Sequence, residues 1–182
     1  MKRIFAMLLA AAMVASITAC GSKEEVSDTP LEVLTNVWAA YDDEEKFAAG
    51  GGDPENPVMD EPGTFNPKDA ENLDVILGFP QHSVALLDDA ASLVHMMNAN
   101  TFTAGAYHVA DASEVEMLVG DLQDNIMNRQ WMCGFPDTLI IFQIGDDTLV
   151  SAFGNAEVVE TFKTKLLSVY EDAEVKCEES LI

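Results

Sequence analysis

From Thr101 to the C-terminus the apolar residues follow one sustained order. Thr138 to Ile144 is an almost unbroken apolar run, too continuous for a half-exposed strand. It is followed by the turn residues Gly145-Asp146-Asp147 and by a second strand-like segment, Thr148 to Phe153. Helical segments flank this pair. Ser113-Glu114-Val115-Glu116 has the form of a capping box, and Val115, Leu118, Val119, Leu122 and Ile126 make one helical face that ends near Cys133. Asn155 suits a second cap, before Val158, Val159, Phe162, Leu166 and Val169. A strand from Thr101 to Val109 opens the series. An alternating one, with Ala173, Val175 and Cys177 between Glu174, Lys176 and Glu178, closes it.

Strand, helix, strand, strand, helix, strand is the order of an α+β, ferredoxin-like βαββαβ fold, an antiparallel sheet with both helices on one face. In that plan the last strand lies beside the first, and Val175 and Cys177 share the inward face. Cys133 and Cys177 then fall at one end of the domain. They are expected either to form a disulfide or to remain as two buried free thiols.

Upstream, Thr29 and Pro30 suit the start of a helix carried by Leu31, Leu34, Val37, Trp38 and Tyr41. Asp42 to Glu45 reads as its solvated end. Ala48 to Asn66, with Gly50-Gly51-Gly52 and three prolines, reads as a loop long enough to be unusual in a compact domain. A short helix is expected from Asn66-Pro67 to Leu77, stopped by Gly78-Phe79-Pro80. Gly134-Phe135-Pro136 reads as a second terminator of the same kind. Asp88 to Asn100 reads as one arm of a hairpin into Phe102 to Val109, although helical spacing through Leu86, Ala90, Leu93, Val94 and Met97 is nearly as good. The expected organisation is one α+β domain over 30–182, with a helical and loop extension at 30–90 and the sheet core at 91–182.

The first residues stand outside this fold. Lys2 and Arg3 precede an apolar run from Ile4 to Val14, which is shorter than a membrane span and suits a signal peptide. Ile17-Thr18-Ala19-Cys20 resembles the lipobox of bacterial lipoproteins. The resemblance implies cleavage between Ala19 and Cys20, lipid on the Cys20 thiol, and localisation at a cell membrane facing outside the cytoplasm. A secreted protein with a chance cysteine is the plainer alternative. Acyl chains anchor by burying methylenes at roughly 0.8 kcal/mol each. Residues 1–19 are then the signal peptide and 20–29 a polar tether. Such a compartment also permits a disulfide.

The formal charge of -23 moves to -25 once Lys2 and Arg3 are removed, since every Asp and Glu lies beyond Ala19. A surface this acidic repels phosphates and anionic headgroups, which excludes nucleic acid and makes lipid the membrane link. The charge suits either plain solubility or capture of cations or a basic partner. The chain is short for a two-lobed solute-binding protein.

Motifs for chemistry are sparse. His95, Met96 and Met97, with His108, Met132 and Cys133, include soft ligands for copper or zinc but show no metal-binding spacing. Asp53, Glu55, Asp60 and Glu61 offer oxygen ligands for calcium, without the alternating spacing of a calcium loop. Cys133 could act as a nucleophile with His95 or His108, yet nothing nearby in the sequence activates it. Trp131 to Asp137 is the most distinctive segment, and Trp131 and Phe135 are candidates for an interaction surface. Serine hydrolase, phosphate-loop and dinucleotide motifs are absent.

The acidic N-terminal extension and the segments His95 to Thr103 and Trp131 to Asp137 resemble uncharacterised small lipoproteins of Gram-positive bacteria, a resemblance that implies no activity. The expectation is a non-catalytic surface module that binds a protein, peptide or wall component and carries no cofactor. Divalent-cation binding by the loop 53–61 is the alternative, and a cysteine-dependent enzyme at Cys133 the second alternative.

Overall fold

The computed structural model of the protein describes residues 28–131 and 135–182. It is a mixed α+β structure built on one eight-stranded antiparallel sheet. Ala19, Cys20 and Cys133 lie outside the described residues.

Helix α1, Pro30–Ala39, starts as its sequence requires. Thr29 accepts from the Glu32 N–H, and the Glu32 carboxylate accepts from the Thr29 N–H. The stretch read as a loop instead supplies three short strands, β1 (Ala49–Gly51), β2 (Val58–Met59) and β3 (Gly63–Thr64). The glycines explain the difference. The backbone at Pro62–Gly63 passes so close to Gly51 that a β-carbon there would overlap it. Gly52, with φ at 81°, turns the chain away.

Helix α2, Ala70–Leu77, is capped by Asp69 and stopped by Gly78 at φ 69°. Strands β4 (Leu87–His95) and β5 (Phe102–Val109) form the expected hairpin. The capping box at Ser113 does not form. Asp111 accepts from both the N–H and the hydroxyl of Ser113, closing a 3-10 turn, and helix α3 begins one residue later than the box would place it, as Val115–Met127. Then come β6 (Thr138–Ile144), β7 (Thr148–Gly154), helix α4 (Ala156–Val169) capped by Asn155, and β8 (Glu174–Ser180).

The sheet order is β2-β1-β4-β5-β7-β6-β8, with β3 on the same edge of β4 as β1. This corrects the ferredoxin-like plan. There β8 would lie beside β5; here it pairs with β6, and β4 occupies the place beside β5. The two crossovers, β5–α3–β6 and β7–α4–β8, therefore step in the same direction across the sheet from strands that run oppositely. Right-handed connections of that kind must place their helices on opposite faces.

The two cores agree. On one face, Leu118, Leu122 and Ile126 of α3 join Leu73 and Leu77 of α2 over Tyr107, Leu139, Ile141 and Phe153. On the other, Phe162 and Leu166 of α4 join Leu34, Val37 and Trp38 of α1 over Phe102, Ala104, Ile140 and Phe142. The segment 30–90 is thus part of the layered structure, adding strands to the sheet and a helix to each face.

Strand β8 departs from simple alternation. Ile141 pairs with Cys177 and Phe142 with Val175, so Lys176 is an extra residue in a bulge. Val175 and Cys177 consequently face opposite sides, not one. Cys177 is buried in the α3 core, while Val175 is 42% exposed.

Candidate interaction groove

At the β2 edge the sheet leaves an apolar groove open to solvent. Gly50 of β1 is paired with Met59 of β2 on one side and with Val94 of β4 on the other. Side chains opposite each other across strands share a face, so Met59 and Val94 flank a position with no side chain. Met96 fills part of that space, with its Cγ 3.1 Å from where a β-carbon of Gly50 would stand. Ile76 of α2, Pro54, Pro57, Val58 and Ala99 complete a groove of about 290 Å³. Met59 is 60% exposed and Met96 48%, and Met97 beyond them is 81% exposed.

Asp53 holds the loop that forms one wall. It is buried, and its Oδ1 accepts from the N–H of Glu55 at 2.9 Å, the N–H of Asn56 at 2.9 Å and the Asn56 side-chain amide at 3.3 Å. Its Oδ2 accepts from the N–H of Asn66 at 3.1 Å. At the other wall the Asp60 N–H donates to the Ala49 carbonyl at 2.8 Å. The Trp38 indole donates to the Asp60 carbonyl at 3.0 Å, tying the rim to α1. Both walls are therefore anchored by backbone and buried polar contacts, not by the methionine side chains that face the groove.

The structure separates most of the other candidates. Asp53 points inward and is saturated by N–H donors, while Glu55, Asp60 and Glu61 are exposed. Among the described residues no three His, Cys, Asp or Glu side chains come together as a metal-binding group. His95 stacks on Phe47 at 5.2 Å, and its Nδ1 accepts from the Asn98 N–H at 3.4 Å. His108 lies in β5, bridged between Asp88 at 2.5 Å and Asp147 at 3.3 Å. Among the described residues the soft ligands do not gather at one point, because His108 lies opposite Asp89 while His95 and Met96 lie at the other end of β4.

Trp131 is half-buried against Phe153 at 5.2 Å, under the Arg129 guanidinium. Phe135 is 68% exposed. Of the two rings proposed for an interaction surface, only Phe135 is fully open. Cys177 is buried, and loss of solvent, followed by the nearby Glu179 and Glu178, pushes its thiol up to about 11. It is held as the unreactive thiol.

Two further recesses carry carboxylates in their lining. One, of about 460 Å³ between α2 and α3, contains His82, Asp121 and Arg129. The Ser83 hydroxyl donates to Asp121 Oδ2 at 2.6 Å, and His82 Nε2 meets the same oxygen at 3.1 Å. Serine and histidine thus share one carboxylate oxygen, whereas a relay needs histidine between the other two. The other recess, about 670 Å³ beside the β6–β7 turn, is lined by Asp28, Asp146, Asp147, Glu171 and Asp172 around Tyr170. Asp28 is fixed there, accepting from the Tyr170 hydroxyl at 2.7 Å and the Asn36 side-chain amide at 3.1 Å.

The methionine groove was missed in the sequence. Gly50 and Met96 are 46 positions apart, and Met59 sits in a stretch read as a loop. No family model matches the chain, nor does any curated protein or solved structure.

Proposed function

We propose that the chain is an exported lipoprotein, cut after Ala19 and anchored through lipid on Cys20 to a cell membrane, facing outside the cytoplasm. Its folded part is a non-catalytic module that binds a protein or peptide. The Met59–Met96 groove carries this reading. Buried apolar side chains line both faces of the sheet, yet here unbranched, polarisable side chains are left in water around a glycine floor. Exposed apolar patches of that kind mark contact surfaces, and methionine suits partners of varied shape. The address is supported by the basic start, the short apolar run and the small residues before Cys20.

Divalent-cation binding by the loop 53–61 ranks below it, because Asp53 spends its carboxylate on four N–H donors within the loop and beside it.

Two measurements test the reading in cells that make the full chain. Metabolic labelling with an alkyne fatty acid should mark the wild type and not Cys20→Ala, and the variant should leave the membrane fraction. Equal labelling of both would overturn the anchor. A photo-crosslinking residue at Met96 should trap one discrete product that the same residue at exposed Met117 does not. Identical patterns at both positions would remove the groove as the binding surface.

A further inference from the structure

The groove has a charged border. Glu55 stands between the lining residues Pro54 and Pro57, and Asp60 and Glu61 follow the lining residue Met59. All three are exposed, and among the described residues neither lysine nor arginine lines the groove. The lysines nearest in sequence make other contacts. Lys46 lies over the Trp38 ring, and Lys68 donates to the Leu87 carbonyl. An apolar floor bordered by carboxylates, on a chain of formal charge -23, complements a partner with long apolar side chains and positive charge.

Size narrows the partner further. About 290 Å³ is at the low end of small-molecule sites, which run from about 300 to 1,000 Å³, and it suits inserted side chains better. The edge strand β2 spans only Val58–Met59, so it offers little backbone for an added strand. Contact must come mainly from side chains.

We infer that the groove takes a basic polypeptide segment, with long apolar side chains over Met59 and Met96 and lysine or arginine side chains against Glu55, Asp60 and Glu61. This inference rests on the reading of the chain as a binding module. An anionic lipid surface fails the charge requirement, and a second copy of this acidic chain meets the same repulsion.

The test is methyl NMR on the full chain labelled at methionine methyl groups. Three synthetic peptides of equal length serve as probes: one of lysine and leucine, one of lysine and serine, one of glutamate and leucine. The lysine–leucine peptide should shift the methyls of Met59 and Met96. Met117 and Met127, exposed on α3, are internal references and should stay in place. Asp60→Asn with Glu61→Gln should weaken binding roughly threefold or more, as expected for losing exposed charge pairs. Asn tolerates the positive φ of Asp60. Met59→Ser with Met96→Ser should abolish binding and leave the melting temperature within a few degrees of wild type, both side chains being exposed.

Equal shifts from the lysine–serine peptide, or matching shifts at Met117 and Met127, would overturn the inference by reducing the contact to diffuse charge. Equal binding of the glutamate–leucine peptide would overturn the basic partner while leaving the groove as a binding surface. Concentration-dependent shifts without peptide would assign the groove to a second copy. If no peptide moves Met59 or Met96, the inference is lost, and crosslinking at Met96 separately decides whether the groove binds anything.

Discussion

The Tyr107 ring lies across Gly105, two residues back on the same strand, with its hydroxyl in the space a β-carbon of Gly105 would need. That hydroxyl meets Ser151 Oγ at 3.3 Å, and Ser151 is the residue paired with Gly105 on β7. The ring also packs on Phe79 at 4.8 Å. Glycine is thus required here for space rather than for its backbone angles. Gly105→Ala should cost about 1–3 kcal/mol, the usual range for overpacking a filled core. In Tyr107→Val the ring is gone, so adding Gly105→Ala should cost much less. Chemical denaturation of both single variants and the double variant measures that coupling. Simple additivity would show that Gly105 and Tyr107 do not compete for one space.

Asp53 makes a second test of how the groove is built. Its Oδ1 serves Glu55 and Asn56, while Oδ2 serves Asn66 alone. Asp53→Ala should lower stability by about 1–3 kcal/mol, the cost of leaving buried N–H groups without acceptors. Asp53→Asn with its amide nitrogen toward Asn66 should be milder and uneven. Hydrogen exchange should accelerate at the Asn66 amide more than at Glu55 or Asn56. Uniform acceleration across 53–66 would mean that the loop opens as a unit and that the two oxygens have no separate roles.

Much of the layered structure was legible in the sequence because each element carries its own local cause. Thr29 with Pro30, Gly78 after Leu77, and Asn155 before Ala156 all act within a few residues, and the structure keeps each in its expected role. The sheet order was less legible because it depends on pairings between distant segments. Which strand β8 joins is decided by where β4 sits, and β4 itself was balanced between helix and strand. The bulge at Lys176 then reversed the side of Val175. In the groove, Gly50 reads as loop glycine until Met59 and Val94 are known to flank it. The capping residue Asp111 was overlooked for a different reason: it lies outside the four-residue box and takes Ser113 before the box can close.

His108 supplies a test by pH. Burial acts against its charged form, but hydrogen bonding and charge attraction from Asp88 and Asp147 prevail, and its pKa lies above the ordinary value. The partners belong to β4 and to the β6–β7 turn, so the protonated ring links two elements beside β5. A raised folded pKa means that this stabilisation is complete below the unfolded value of about 6.5, and is lost as pH rises through the higher folded value. Melting temperature should therefore fall more for wild type than for His108→Asn as pH is raised from about 6 to about 8.5. Parallel curves for the two proteins would show that His108 contributes no pH-linked stability.

Cys177 should behave as a protected thiol. Its value of about 11 leaves roughly a hundredth or less of the thiolate that a free cysteine near 8.5 has at neutral pH. Burial at the face shared with Ile141 limits access as well. In a chain carrying Cys20→Ala and Cys133→Ser, iodoacetamide at pH 8 should modify Cys177 at least about a hundredfold more slowly than it modifies the same chain in denaturant. Because opening of the β8 edge exposes the thiol, the native rate should follow the local stability of β6–β8 pairing. Lys176→Gln removes the ion pair with Glu116 of α3 and should raise that rate without changing the rate in denaturant. Rapid modification of the folded chain would show that Cys177 is accessible and that the β8 edge opens freely in the native state.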